Sequence, residues 1–392
     1  MKKYISILLI VSLFLIINAN YAQSGKIGAK VPIVDKNNEL QSFFNSLKEA
    51  KTKKIRIAHY GDSIIWGDVF TSDIRELLQN KFGGSGAGFV SICTDDIKLK
   101  QTTVQTYSDT WSWGSLFTRN ENRYPMGIAA TVSVPKEKSW VKYSASNFLK
   151  SSSSFKDINL FYQSKESLSI KYKTNSGSGN LTLPSTSGKA KSVAIPNSTV
   201  VKELELEFPK AAESYFFGVT LDDGNGVYVD NFPLRGNNGS SLLKIDKSMY
   251  TDIASDLDYR LVILNFGANA ASDDINDKWY KRKMIKVIEH LKESMPKASI
   301  LLVSLGDKAI KKGSKFETDP AVIKLVKLQE EIASESGVAF WNMYEAMGGK
   351  NSSVEWVNAN PRLLSYDYVH FNEDGAKVIS ELFVDALLSK MN

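Results

Sequence analysis

The sequence predicts an α/β chain whose parallel sheet, covered by helices on both faces, is interrupted by an inserted all-β sandwich. Three observations predict it. Apolar strands alternate with amphipathic helices from Lys54 to about Phe89 and again from Asp258 to the end, a texture that requires a parallel sheet between helical layers. From about Lys98 to Val227 helix signals vanish, and short β-branched and aromatic runs are separated by Gly, Ser, Asn and Pro, the spacing of a sandwich. Beyond a predicted leader of 22 residues the chain is 370 residues long (392 minus 22), above the roughly 250–300 at which single cores stop growing.

The elements follow in order. Lys2 and Lys3 precede an apolar stretch from Ile5 to Ile17 and the small-residue region "NANYAQ", which predicts a secretory signal peptide over residues 1–22. Its apolar core is shorter than the ~20 residues a membrane span needs. Export to the periplasm or the medium is therefore expected, with no membrane association after cleavage and a monomeric product. Residues 23–97 form the first part of the α/β domain: "KIRIAHY" reads as a strand, and "DVFTSDIRELLQNKF" as a helix with Ile74, Leu77, Leu78 and Phe82 on one face. Residues 98–227 form the insertion, with strand-like runs such as "NLFYQ", "LSIKYKT", "VVKELELEFP" and "SYFFGVTL", and Trp111, Trp113 and Trp140 as either core or sugar-stacking rings. Loops at the carboxyl edge of the sheet are the expected attachment point. Residues 228–392 return to strand–helix alternation through "YRLVILNFG", "KWYKRKMIKVIEHLKESM", "ASILLVSLG", "DPAVIKLVKLQEEIASESG", "GVAFWNMY" and the closing "NEDGAKVISELFVDALLSK".

Composition removes several functions. The net charge of +6 falls to +4 without Lys2 and Lys3, with no basic block, which is too mild for a nucleic-acid binder. The single cysteine, Cys93, forms no internal disulfide and reads as a buried apolar residue. No His/Cys cluster has the spacing of a transition-metal site, so no metal or organic cofactor is expected.

"HYGDSIIWGD" (59–68) places Ser63 in a turn between the first strand and the following helix. A serine there caps a helix or stands as a nucleophile at the carboxyl end of a strand, with helix amides facing an anion. Its partners decide. Of three histidines, His290 lies in an amphipathic helix and reads as a surface residue, and His59 lies in the first strand and reads as packing. His370 follows Asp367 by three residues just before the last helix, a spacing that lets the carboxylate bind Nδ1 while Nε2 faces outward. "NFGANAAS" puts Asn269 in a loop after a strand, where its amide either donates to an oxyanion or makes a turn. "PLRGNNGSS" supplies Gly236 and Gly239, which either admit a substrate close to a backbone N–H or form a tight turn.

Gly-Asp-Ser, a glycine turn, Gly-x-Asn after a strand and Asp-x-x-His before the last helix, in that order, resemble the blocks of the SGNH, or GDSL-type, hydrolases. The resemblance implies a three-layer α/β sandwich and covers the α/β texture on both sides of the insertion. It implies Ser63 as nucleophile, His370 as general base, Asp367 as its orienting carboxylate, and an oxyanion hole made by the Ser63 and Gly236 amides with Asn269, Gly239 being the second choice for Gly236. The chain has no Gly-x-Ser-x-Gly elbow, which removes support for an α/β-hydrolase.

Ser63 and Gly236 are 173 positions apart (236 minus 63), and a β insertion between these blocks resembles the peptidoglycan O-acetylesterases that carry a module similar to a carbohydrate-binding one. Ala270 departs from the acidic residue common after the asparagine, and Ile64 from a frequent histidine. The resemblance implies an exported serine esterase that deacetylates a polysaccharide, peptidoglycan first. A polysaccharide O-acetyltransferase using the same serine and a non-catalytic glycan-binding protein are the alternatives. Acetyl transfer against acetate release separates the first, and hydrolysis of an aryl acetate the second.

Overall fold

The computed structural model describes residues 27–116, 120–272 and 276–391; the predicted leader, 1–22, lies outside the described residues. Five strands, β1 (Lys54–Gly61), β2 (Gly226–Pro233), β3 (Tyr259–Asn265), β4 (Ser299–Val303) and β5 (Ala339–Trp341), form an all-parallel sheet in the order β2-β1-β3-β4-β5. Eight helices surround it among the described residues: α1 (Gln41–Leu47), α2 (Val69–Phe82), α3 (Lys247–Leu257), α4 (Asp277–Ser294), α5 (Pro320–Ser336), α6 (Met343–Met347), α7 (Ser352–Asn358) and α8 (Glu373–Ser389).

Alternate residues of each strand point to opposite faces, and both faces are apolar. Ile57, Val229, Ile263 and Leu301 pack with α1, α2 and α8 through Phe43, Ile74 and Phe383. Tyr60, Val262, Leu264 and Leu302 pack with α3, α4 and α5 through Ile253, Ile288 and Ile332. The chain is thus a three-layer α/β sandwich, as the sequence predicts. Each fully buried Leu or Ile contributes about 1.5–3 kcal/mol, so the sheet is the rigid platform of the molecule.

The insertion is a pair of antiparallel sheets packed face to face. One holds Trp111–Ser115, Thr131–Pro135, Asp157–Ser164, Lys191–Ala194 and Ser214–Asp223; the other holds Thr103–Tyr107, Ser139–Ala145, Leu168–Thr174, Gly177–Leu183 and Glu203–Phe208. Tyr143, Leu160, Leu206, Phe216 and Trp111 fill the space between them, and Trp140 is exposed. Cys93 is buried in this core.

Two boundaries differ from the sequence reading. Ser85–Ser91 pairs with Ser214–Asp223 and so belongs to the sandwich, although its glycine-rich texture does not read as a strand. A Cβ at Gly88 would collide with the Asp230 carboxylate, so glycine is what lets this segment press against β2. Gly226–Pro233 belongs to the parallel sheet, in register with β1 from Lys54↔Gly226 to Gly61↔Pro233.

That register also places the attachment. The insertion leaves after α2 and returns at Gly226, opposite Lys54 at the start of β1, so it hangs from the amino edge of the sheet and not the carboxyl edge. It then runs along β2 toward the other end: Tyr60 Oη donates to the Ile128 carbonyl at 2.9 Å, and Thr102 Oγ1 to Asp68 at 2.7 Å. A buried ionic knot fixes the junction. Arg56 of β1 pairs with Asp222 of the insertion and, at 3.0 Å, with Asp230 of β2, which also accepts from the Phe89 amide and the Tyr259 hydroxyl.

Candidate active site

The site is assembled where three strands end. β1 stops at Gly61, whose carbonyl accepts from the Leu234 amide at 2.7 Å, tying in the loop after β2. Asp62, fully buried, accepts from the Ile64 amide at 3.0 Å and from the Gly267 and Ala268 amides at 3.0 and 2.9 Å, tying in the loop after β3. Burial raises the Asp62 carboxyl above its ordinary range, against the pull of these amides and of His370. Asp62 therefore caps the turn, which leaves the Ser63 hydroxyl for other work. In the sequence this aspartate reads as part of a block, and nothing there marks it as the clasp between two loops.

Ser63 is half-buried, and its Oγ lies 2.8 Å from His370 Nε2. His370 Nδ1 lies 2.8 Å from Asp367 Oδ2. The other carboxylate oxygen, Oδ1, accepts from the amides of Val369 and His370 at 2.9 and 3.0 Å. Burial raises the Asp367 carboxyl, but these hydrogen bonds and the imidazole outweigh it and hold the group below its ordinary value. The structure thus brings Ser63, His370 and Asp367 into one chain of contacts.

The residues proposed to face an oxyanion are divided. Gly236 is exposed, adopts φ +72°, and its amide has no hydrogen-bond partner among the described residues. Asn269 is exposed and one of its Nδ2 hydrogens goes to the Asn237 carbonyl at 3.2 Å, so the asparagine and the glycine loop meet. Gly239 does not join them: it is buried against Met284 and Phe266, and its amide is taken by Asn237 Oδ1 at 2.8 Å. The turn after Ser63 also differs from expectation. Residues 63–68 form a short 3-10 turn broken at Trp66 and Gly67, and α2 begins only at Val69, so the helix does not start at the serine.

His59 is buried, with Nδ1 2.9 Å from the Thr71 hydroxyl. His290 is half-buried rather than on the surface: its Nε2 meets the Ile245 carbonyl at 2.9 Å and its ring packs on Tyr250. A feature with no sequence signal flanks His370. Tyr368, between Asp367 and His370, adopts φ +61°, and its ring stacks at 4.1 Å on Phe316 of the hairpin Ala309–Lys312/Lys315–Thr318.

Residues 208–378 match the GDSL-like lipase/acylhydrolase family, a span that contains Gly236, Asn269, Asp367 and His370, and the fold brings Ser63 to it. The chain carries a GDSL-type acylhydrolase domain. The family and the Ser–His–Asp geometry make it a carboxylic ester hydrolase. Among solved structures, that of a peptidoglycan O-acetylesterase superposes with a TM-score of 0.74 at 19% identity, covering 92% of this chain and 99% of that one. At that identity the likeness is one of fold, and it takes in the insertion. An acetyl xylan esterase, AlAXEase, matches over 41% of this chain and 81% of its own at 17% identity, with a TM-score of 0.32. A family two carbohydrate esterase from Cellvibrio japonicus matches over 74% and 98% at 11% identity, with a TM-score of 0.29. No curated protein matches.

Proposed function

We propose that the protein is an exported serine esterase that removes O-acetyl groups from a polysaccharide, peptidoglycan first. The observation that carries the reading is the pair of 2.8 Å contacts linking Ser63 Oγ to His370 Nε2 and His370 Nδ1 to Asp367. His370 takes the Ser63 proton as Oγ attacks the acetyl carbonyl, and the Asp367 carboxylate stabilises the imidazolium that results. The oxyanion is met by the Ser63 and Gly236 amides and by the Nδ2 hydrogen of Asn269 that Asn237 does not use. The imidazolium then protonates the departing sugar oxygen. Water, deprotonated by His370, attacks the acetyl-serine; acetate leaves and Ser63 regains its proton.

The polysaccharide assignment is supported by the insertion and by the fold shared, insertion included, with a peptidoglycan O-acetylesterase. Export is supported by Lys2, Lys3 and the apolar stretch behind them. The test is acetate release from O-acetylated peptidoglycan against acetylated xylan. Wild type should favour the former, and Ser63→Ala should lower release by at least about 10⁴-fold. Asn269→Ala should slow turnover by roughly 10²–10³; a loss under about threefold removes Asn269 from the oxyanion hole. Acetyl transfer to a second glycan in place of acetate release would make the protein a transferase.

A further inference from the structure

Two arginines lie over aromatic rings on segments that carry the site, one in each half. In the Ser63 half, Arg235, next to Gly236, lies 4.2 Å above the ring of Trp66. In the His370 half, Arg362 lies 3.9 Å above the ring of Tyr366, the residue before Asp367. Their surroundings differ. Arg235 stands in a crevice between the two domains with Asp95 of the insertion, whose carboxyl burial and neighbouring Asp96 raise despite the opposing guanidinium. Arg362 makes no ion pair among the described residues, and its buried Nε has no hydrogen-bond partner.

An arginine stacked in this way has its face covered and its side-chain entropy already spent, while the Nη donors of Arg362, which have no partner among the described residues, stay free for a planar anion. Tyr366 beneath it is 75% exposed, an unusual degree for an aromatic ring, and such a ring offers a face to a sugar. Tyr366 sits on the turn that carries the general base, and Arg362 on the stretch leading into it, where its carbonyl accepts from Asn372 Nδ2 at 2.6 Å. In the mechanism above, that base protonates the departing sugar oxygen, so this turn borders the leaving glycan.

We infer that Arg362 and Tyr366 form a subsite for a carboxylate-bearing glycan, the arginine gripping the carboxylate and the tyrosine the sugar ring, so that the acetylated substrate is an acidic polysaccharide. The inference rests on the esterase reading. An exposed ion pair of this kind weakens with added salt.

The test uses one O-acetylated, carboxylate-bearing glycan in two forms, native and with its carboxylates amidated. Wild type should show kcat/KM about tenfold higher on the native form, chiefly through KM, and NaCl should shrink the difference. Arg362→Gln should bring the ratio of the two forms to about one, Arg362→Lys should keep part of it, and Tyr366→Ala should raise KM on both forms while Tyr366→Phe does not. Thermal melting of each variant reports that the fold is retained. Equal kcat/KM on both forms in wild type, or a ratio that survives Arg362→Gln, overturns the inference alone. A wild type that releases acetate from neither form overturns the esterase reading together with it.

Discussion

Ser63 and His370 meet at 2.8 Å from opposite kinds of scaffold. The serine half is deep and non-local: Asp62 is buried, and its carboxylate gathers amides from its own turn and from a loop 205 residues away. The histidine half is shallow and local. Asp367 and His370 are 50% and 39% exposed, and the turn is closed by contacts within six residues, Ser365 to His370, with Phe316 stacked outside it. The nucleophile is thus fixed by the fold as a whole, whereas the base is fixed by a turn that can shift without disturbing the core.

Substitution of the two carboxylates separates these cases most widely. Asp367→Ala should slow ester hydrolysis by about 10²–10⁴, the range for general acid–base help, while urea unfolding stays within about 0.5 kcal/mol of wild type. Asp62→Ala removes the acceptor of three amides, two of them buried, and should cost about 3 kcal/mol of stability or more, with activity lost as a consequence. Equal destabilisation by the two variants would erase the comparison.

Acid should find the serine half first. Thr71 gives its one proton to Asn231 Oδ1, so His59 Nδ1 must donate to Thr71, and the bare Nε2 is buried without a partner. Burial, ahead of the smaller effects of Asp68 and Arg75, lowers the His59 pKa from 6.5 to about 3. The folded value lies below the unfolded one, so this contribution is complete above pH 6.5 and drains away as pH falls toward 3. Urea unfolding should show a loss of about 2–3 kcal/mol by about pH 4.5, and His59→Gln should flatten that slope. The Asp367 value is also lowered, from 3.8, so its share is lost only below about pH 4. A stability curve flat between pH 6.5 and 4.5 would contradict the burial argument.

How much of this is legible in the sequence follows the same division. Asp-x-x-His is a local spacing, and Gly-Asp-Ser ends a strand that periodicity marks clearly, so the meeting of Ser63, Asp367 and His370 can be read before any coordinates. The helices at 69–82, 277–294, 320–336 and 373–389 can be read likewise from their apolar stripes. What is hidden is non-local. Parallel pairing of β1 with β2 joins segments on either side of the insertion, and the attachment edge follows only from that register. Ser85–Ser91 hides because Gly88, pressed against Asp230, and Gly86, pressed against the Leu221–Asp222 backbone, lower its strand character. Gly239 could be told from Gly236 only by the Asn237 side chain that claims its amide.

The smallest expected effect probes the outer wall of the histidine half. A bulky residue at φ +61° is held in a sparsely populated conformation, and Tyr368 is held there between the two residues whose bond orients the imidazole. The Phe316 ring, parallel to it within 15° and 4.1 Å away, supports its side chain from the hairpin, while the Ala309 amide donates to its carbonyl at 3.4 Å. Phe316 touches neither Ser63 nor the proton path, so it acts by positioning. Phe316→Ala should lower kcat about fivefold with KM within twofold, and leave the melting temperature nearly unchanged because the ring is 38% exposed. Phe316→Tyr should restore kcat, since stacking and not hydrophobicity alone is required. A matching loss of stability, or an unchanged kcat in the alanine variant, would show that the turn holds its shape unaided and that Asp367 alone, through the Val369 and His370 amides, is sufficient to aim the base.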